Sequence, residues 1–184
     1  MNIPNFLTLL RLFFPVFLCL IVSLELDLPD EKLLILFLFI LLSITDYFDG
    51  FLARKLNKET IFGKIFDPIS DKILSSVSLI YILTFEDKIL IPALLIITRE
   101  FIVSGTREYM LESKGKNIGV SFLSKIKTTM QFISIILLLS QDFLINYVNI
   151  FNLAYISLWI ATILTIYTGL KYSYMTYIVN QKRK

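Results

Sequence analysis

The stretch that decides the fold is SITDYFDGFLARKLNKETIFGKIFDPISDK, residues Ser43–Lys72. It places four aspartates at the edge of two strongly apolar segments: Asp46, Asp49, Asp67 and Asp71. Carboxylates gathered in apolar surroundings repel one another and are costly to bury without a compensating partner. The pattern therefore predicts a functional site where two apolar helices end.

The composition predicts a membrane protein. The chain has 184 residues, of which 56% are hydrophobic and 18% charged, and its mean hydropathy is +0.74. An ordinary soluble domain is about half apolar and about a quarter charged. The alternative is a soluble helical bundle with a rich core, but several apolar runs approach the ~20 residues that a bilayer requires. We therefore predict one all-α polytopic membrane domain over residues 1–184.

Six apolar segments predict six transmembrane helices. They cover about Ile3–Leu24, Leu33–Ala53, Ile65–Phe85, Ile89–Tyr109, Phe122–Gln141 and Phe151–Tyr172. Arg11 and Pro15 interrupt the first segment, so we expect residues 1–12 to form an amphipathic interfacial start that kinks into a span.

The distribution of basic residues predicts the orientation. Residues 54–72 carry five Lys or Arg, residues 107–127 carry five more, and the chain ends NQKRK. The turns ELDLPDEK, FEDK and SQDFLINYVN contain only Lys32 and Lys88 as cations. By the positive-inside rule, both termini and the two basic loops face the cytoplasm. We expect a multi-pass protein of the inner, cytoplasmic membrane.

The aspartates fall on two helix faces. Asp46, Asp49, Gly50 and Ala53 are spaced i, i+3, i+4 and i+7, and Gly63, Asp67 and Asp71 are spaced i, i+4 and i+8. Such spacings place residues on one face of a helix. Because a short loop joins the two helices, we expect them to be antiparallel neighbours whose polar faces meet. Pro68 fits if the second of them has only just begun there.

The ligand chemistry points to hard metal ions. The chain contains no histidine and a single cysteine, Cys19. Ligands that are oxygen alone select cations such as Mg²⁺, Mn²⁺ or Ca²⁺. Two metals sharing four aspartates is an arrangement that suits transfer at phosphorus. Small residues beside the carboxylates leave room for a phosphorylated ligand, and Arg54 can meet its charge.

The order Asp46-x2-Asp49-Gly50-x2-Ala53-Arg54-x8-Gly63-x3-Asp67-x3-Asp71 resembles the signature of the CDP-alcohol phosphotransferase family. The resemblance implies a six-helix membrane enzyme, a homodimer, whose site opens to the cytoplasm. It implies that all four aspartates bind Mg²⁺ or Mn²⁺, two ions in each site, and that Asp71 is also the general base. The residues that it implies for the CDP-linked lipid, CDP-diacylglycerol, are Asn5, Thr8, Asp46, Gly50, Ala53, Arg54, Thr60 and Gly63. An ordinary helix N-cap is an alternative for Asn5 and Thr8.

Two further stretches concern the acceptor. NIPNFLTLLR and TREFIVSGTREYMLESKGKNIGVSFLSKIKTTMQ resemble bacterial members of the family that use sn-glycerol 3-phosphate. Charge inside an apolar span is expensive and usually functional. We therefore expect Arg99, Arg107, Lys125 and Lys127 to bind the acceptor phosphate. Pairing of the arginines with Glu100 or Glu108, and a purely topological role for the lysines, are the alternatives.

A polar stripe on the fifth segment supports the same interpretation. It consists of Ser124, Lys127, Thr128, Gln131 and Ser134 at helical spacing. Tyrosines near span ends, Tyr172 among them, are read as interface anchors.

Three other functions remain open. The first is a sister enzyme with another acceptor, such as inositol phosphate, serine or phosphatidylglycerol. The second is a divalent-cation channel or transporter, which explains the aspartates but not the glycines and Arg54. The third is a purely structural membrane protein, which has no use for so costly a cluster. No feature points to a nucleic-acid partner.

Overall fold

The computed structural model describes residues 3–55, 60–114, 122–144 and 150–181, and in parts of these ranges, including residues 46–55, the backbone alone. Within them every regular element is a helix, which confirms the all-α class. The helices are α1 (Ile3–Leu12), α2 (Phe14–Val22), α3 (Leu28–Lys55), α4 (Ile61–Ile82), α5 (Leu90–Lys114), α6 (Phe122–Leu139), α7 (Gln141–Leu144) and α8 (Ile150–Gln181), with a 3-10 turn at Asp87–Ile89.

The first predicted segment is broken as expected. The axes of Asn5–Leu12 and Phe14–Val22 differ by 43°, and Pro15 lies in the first turn of α2. Proline is tolerated there because the N–H it lacks would have no intrahelical partner. The kink turns α1 away from the direction of α2.

Helix α4 begins earlier than Pro68 suggested, so the expectation that the helix only just begins there is wrong. Thr60 is the N-cap residue, and its hydroxyl accepts a hydrogen bond of 3.0 Å from the backbone N–H of Gly63. This cap starts the helix at Ile61, about two turns before the proline. Pro68 therefore lies inside α4, at the level of the aspartates.

The helices pack in two groups that share one hydrophobic core. Helix α1 packs against both α3 and α4, and α8 packs against α5 and α6. Among the described helices, the most extensive packing is between α6 and α8, where Ser134 and Ser157 hydrogen-bond at 2.8 Å and Ala154 and Ala161 are fully buried. Small residues of this kind let helix backbones approach closely in a membrane. Phe39 of α3 and Phe132 of α6 pack against each other in the core, with ring centroids 5.3 Å apart.

Two described helices are long and apolar enough to cross a membrane, Asp87–Tyr109 and Ile150–Tyr174, and a third span exists if the kinked pair α1–α2 counts as one. Large apolar side chains point outward from the bundle, for example Phe37, Ile163 and Leu170. Outward apolar surface of this kind is what lipid requires of a helix bundle. Two or three candidate spans are therefore present, and six spans stay a prediction.

The three turns that contain few cations, here called the acidic turns, have described residues that meet at one end of the bundle. The ammonium of Lys32, at the start of α3, lies 2.8 Å from a carboxylate oxygen of Asp142 in α7 and 3.8 Å from the Phe85 ring centroid. The Tyr81 hydroxyl, at the end of α4, donates a 2.7 Å hydrogen bond to Glu31. The described residues of all three turns that the charge pattern assigned to one side of the membrane therefore lie together.

Candidate active site

Helix α1 holds the two aspartates of α4. The Thr8 hydroxyl donates a hydrogen bond of 2.6 Å to Oδ1 of Asp67. The guanidinium of Arg11 donates one of 2.9 Å to Oδ1 of Asp71 and lies 3.6 Å from Oδ1 of Asp67. Residue numbers rise together along both helices, so α1 runs parallel to α4. The polar face of α1 is thus part of the site.

The carboxylates of Asp67 and Asp71 are held by α1 on one side and are exposed on the other. Arg11 is completely buried, whereas the side chains of Asp67 and Asp71 are 44% and 41% exposed. The three contacts from Thr8 and Arg11 given above reach Oδ1 atoms. Side chains that hold a ligating carboxylate in place tune the position of a metal or proton at the exposed side. Arg11 was predicted only to interrupt the first span, although a charge in an apolar run was its signal.

Helices α1 and α4 also contact each other at the start of α4. The Thr60 hydroxyl donates a hydrogen bond of 2.6 Å to Oδ1 of Asn5. A Cβ on Gly63 would lie 3.3 Å from both Asp67 Oδ2 and Thr60 Oγ1, so glycine keeps this corner uncrowded. Asn5 and Thr8 lie inside α1, and the N-cap alternative for them is therefore wrong.

The other half of the signature lies on α3. Its backbone is helical through Lys55, so the predicted common face for Asp46, Asp49, Gly50 and Ala53 has the geometry it needs. The side chains of these residues and of Arg54 lie outside the described part of the structure. Their convergence on α4 stays a prediction.

The described carboxylates fit a hard cation, although they do not form a complete site by themselves. Among residues whose side chains are described, no group of three or more candidate ligands comes together. Asp67 and Asp71 offer oxygen donors that are exposed and held by neighbours, the chemistry that Mg²⁺ or Mn²⁺ prefers. The remaining donors would have to come from α3.

A cavity of about 400 Å³ opens beside Asp71, between α4, α5, α6 and α8. Among the described side chains, five cations line it, against two carboxylates: Lys72, Arg99, Arg107, Lys127 and Lys171, with Asp71 and Glu100. A partly enclosed space with this excess of positive charge attracts anions and strengthens their binding. The cavity and the aspartates share Asp71, so a ligand held here can reach that carboxylate.

Glu100 organises two of these cations. Its carboxylate accepts a hydrogen bond of 3.2 Å from Arg99 and another from Lys127. Lys72 donates to the hydroxyl of Ser104 on the next turn of α5. The alternative in which Arg99 pairs with Glu100 is therefore confirmed as far as the ion pair is concerned. The pair nevertheless lines the cavity instead of being buried away from it.

Helix α8 supplies a wall that the sequence did not indicate. Thr168, Lys171 and Tyr172 line the cavity, and the Arg107 guanidinium carbon lies 5.8 Å from the Tyr172 ring centroid. Among the described side chains, Arg107 Nε and the Tyr172 hydroxyl are buried without a hydrogen-bond partner. Tyr172 is thus a cavity residue as well as a residue near a span end. Its spacing from Thr168 and Thr165 on an apolar helix was the available signal.

The polar stripe on α6 is largely confirmed. Ser124, Lys127, Thr128 and Gln131 line the cavity. Ser134, further along the same face, instead bonds to Ser157 of α8. Lys125 is exposed on α6 and is not among the lining residues. Of the four cations predicted for the acceptor, the structure brings Arg99, Arg107 and Lys127 together.

Comparisons with known proteins agree along nearly the whole chain. The sequence model of the family described as CDP-alcohol phosphatidyltransferase matches residues 1–167. A protein from Rickettsia bellii (strain RML369-C) is 44% identical over 174 residues, 93% of each chain. Relatives from Wigglesworthia glossinidia brevipalpis and Bacillus subtilis (strain 168) are 40% and 37% identical, covering 96% and 93% of each chain. All three relatives are named CDP-diacylglycerol–glycerol-3-phosphate 3-phosphatidyltransferase.

Proposed function

The chain belongs to the CDP-alcohol phosphatidyltransferase family, and from this premise we propose its reaction. It transfers the phosphatidyl group of CDP-diacylglycerol to sn-glycerol 3-phosphate, releasing CMP and forming phosphatidylglycerophosphate for phospholipid synthesis. The observation that carries this proposal is the cation-lined cavity that reaches Asp71. This cavity supports the proposal because it offers space and positive charge for a small phosphorylated acceptor next to a carboxylate.

The charge of the cavity favours a phosphorylated acceptor. Arg99, Arg107 and Lys127 would bind the phosphate of glycerol 3-phosphate, with Lys125 at the outer surface of the same helix. Buried cations without a counter-charge are costly, so an acceptor without phosphate, such as serine, would leave this excess unbalanced. A divalent-cation transporter would use the aspartates, but a cavity lined by five cations opposes its cargo.

The residues of the site divide the chemistry between them. A hydroxyl oxygen of the acceptor attacks the phosphorus that carries the diacylglycerol, and the bond from that phosphorus to the CMP oxygen breaks. Asp71 takes the hydroxyl proton as general base. Arg11 and Thr8 keep the carboxylates of Asp71 and Asp67 in place. Positioning of this kind is a large part of catalysis when two substrates must meet.

The donor and the metal ions are assigned to the α3–α4 side of the site. Asp46, Asp49, Asp67 and Asp71 would hold two Mg²⁺ or Mn²⁺ ions, which when bound offset the charge that develops on the phosphate oxygens. The residues assigned to CDP-diacylglycerol are Asn5, Thr8, Asp46, Gly50, Ala53, Arg54, Thr60 and Gly63. The hydrogen bonds from Thr60 to Asn5 and from Thr8 to Asp67 support this grouping, because they place α1 beside the start of α4.

We also propose six spans in the inner, cytoplasmic membrane, with both termini and the active site on the cytoplasmic side. Two features support this. Helices α1 and α4 run parallel, as the first and third spans of such a topology must, and the three acidic turns share one end. We further propose that the protein is a homodimer, as the family resemblance implies.

The reaction is tested with purified protein in detergent. CDP-diacylglycerol is supplied with Mg²⁺ or Mn²⁺, and CMP release is followed with glycerol 3-phosphate, inositol phosphate, serine or no acceptor. We expect release that needs both the metal and glycerol 3-phosphate and stops when a chelator is added. Release with another acceptor would overturn the acceptor assignment but not the reaction class. If folded protein that binds metal released no CMP with any of these acceptors, both the acceptor assignment and the reaction class would be overturned.

Lys127 and Lys125 provide a matched pair on one helix. We expect Lys127→Ala to raise the KM for glycerol 3-phosphate by about 10- to 100-fold, because a charge-assisted hydrogen bond contributes about 1.5–3 kcal/mol. Lys125→Ala, which removes an exposed ammonium outside the cavity lining, should have a much smaller effect. Steady-state kinetics with varied glycerol 3-phosphate measures both. A larger effect of Lys125→Ala would mean that the acceptor does not occupy this cavity.

A further inference from the structure

Arg99 lies directly against the backbone of α8 at Gly169. A Cβ built on Gly169 would be 2.8 Å from Arg99 Nε, 3.0 Å from Cγ and 3.5 Å from Cδ. The distance to Nε is shorter than Cβ atoms in proteins essentially ever show. The distance to Cγ is also tighter than most Cβ contacts. Any residue larger than glycine at position 169 would therefore have to displace the arginine.

The guanidinium beyond this contact is held from two sides. Its NH1 donates to Glu100 on α5, and its NH2 donates a hydrogen bond of 2.9 Å to the Thr168 hydroxyl on α8. A guanidinium has five N–H donors in one plane, so these two bonds leave others available. Thr168, Glu100 and Arg99 all line the cavity.

We propose that Gly169 is a positioning residue for acceptor recognition. Its missing side chain lets Arg99 lie across α8, reach Thr168 and present its remaining donors to the acceptor phosphate. The inference rests on the proposed function, since it assigns a role within the same site. Glycine is unfavourable inside a helix, and Gly169 is about three turns from the end of α8. The close contact with Arg99 explains why the helix has a glycine at this position.

The first test separates acceptor binding from donor binding. We expect Gly169→Ala to raise the KM for glycerol 3-phosphate at least about 10-fold, with the KM for CDP-diacylglycerol changed less than about twofold. Gly105→Ala is the matched control, because it adds the same methyl group on α5 where, apart from its own helix backbone and chain neighbours, no atom of the described residues lies within 4 Å. Equal KM values for Gly169→Ala and the unchanged protein, or equal rises for both substrates, would overturn the proposal.

A double-mutant cycle tests whether Gly169 acts through Arg99. Once Arg99→Ala has removed the side chain, adding Gly169→Ala should change the KM for glycerol 3-phosphate less than about twofold. Thr168→Val, which deletes only the hydroxyl that accepts from Arg99, should raise it in the same direction. If Gly169→Ala alone does not fold, we expect the Arg99→Ala double variant to recover the thermal unfolding midpoint. Independent, multiplying effects would overturn the proposal.

Direct binding distinguishes failure of this inference from failure of the proposed function. Equilibrium binding of glycerol 3-phosphate, with inorganic phosphate as competitor, is measured without donor. If the unchanged protein bound it without turnover, and Gly169→Ala bound it at least about 10-fold more weakly, the positioning role would stand and the reaction would not. Normal turnover with unweakened binding by Gly169→Ala would leave the reaction and overturn the role.

Discussion

Asp71→Asn is expected to slow CMP release by about 10³-fold or more. A general base contributes about 10²–10⁴-fold, and the same carboxylate is assigned as a metal ligand. Asparagine has nearly the same shape and retains an oxygen that can accept the hydrogen bond from Arg11. The substitution therefore removes the charge and the basic oxygen while leaving the packing of α1 against α4. The loss should appear in kcat at saturating concentrations of both substrates.

Asp87→Asn is a suitable control for this variant. Asp87 is an exposed aspartate in the 3-10 turn before α5, at the end of the bundle away from Asp71. Its substitution should leave CMP release unchanged. Metal binding by the Asp71→Asn protein should be measured separately. Near-normal turnover with metal retained would show that another group accepts the proton.

Arg11→Ala is expected to reduce both activity and stability. The arginine is fully buried and donates to Asp71. Loss of orientation of about 1 Å can cost about 10²-fold in rate, so we expect CMP release to fall by about that factor. Breaking a buried ion pair costs about 3–5 kcal/mol. Because Asp71 is two-fifths exposed and water can solvate it, we expect a decrease of about 1–3 kcal/mol in the free energy of unfolding.

Arg11→Lys separates charge from geometry. It keeps one positive charge but not the planar group that spans both aspartates, so it should restore more of the stability than of the activity. Thermal unfolding in detergent and CMP release measure the two quantities. If Arg11→Ala kept turnover within about threefold, Arg11 would not be what orients Asp71.

Much of the fold follows from local sequence. The apolar runs predict where the helices lie, since each needs only one stretch of chain. Pro15 marks the kink between α1 and α2, and the periodic polar residues on α6 mark the face that lines the cavity. These properties depend on neighbours within one or two turns.

The contacts that complete the site could not be read in this way. Arg11 meets Asp71 across 60 positions of sequence, and Arg99 meets Thr168 across 69. Hydropathy shows that a helix enters the membrane but not which helix it packs against, because lipid and protein interiors are similarly apolar. Gly169 illustrates this, since only the arginine of another helix gives it a function.

The pairing of Arg11 with α4 has a consequence for the order in which the protein is made. Helix α1 leaves the ribosome before the helix that carries Asp67 and Asp71, so its arginine first meets the membrane without them. Burying an arginine in the bilayer without a counter-charge is costly, by up to about 2.5–3.5 kcal/mol at the centre of a span and less near its end. The N-terminal segment is therefore expected to remain at the bilayer surface during synthesis. We expect it to settle into the bundle once α4 has arrived, so that Asp67 and Asp71 would also assist the insertion of α1.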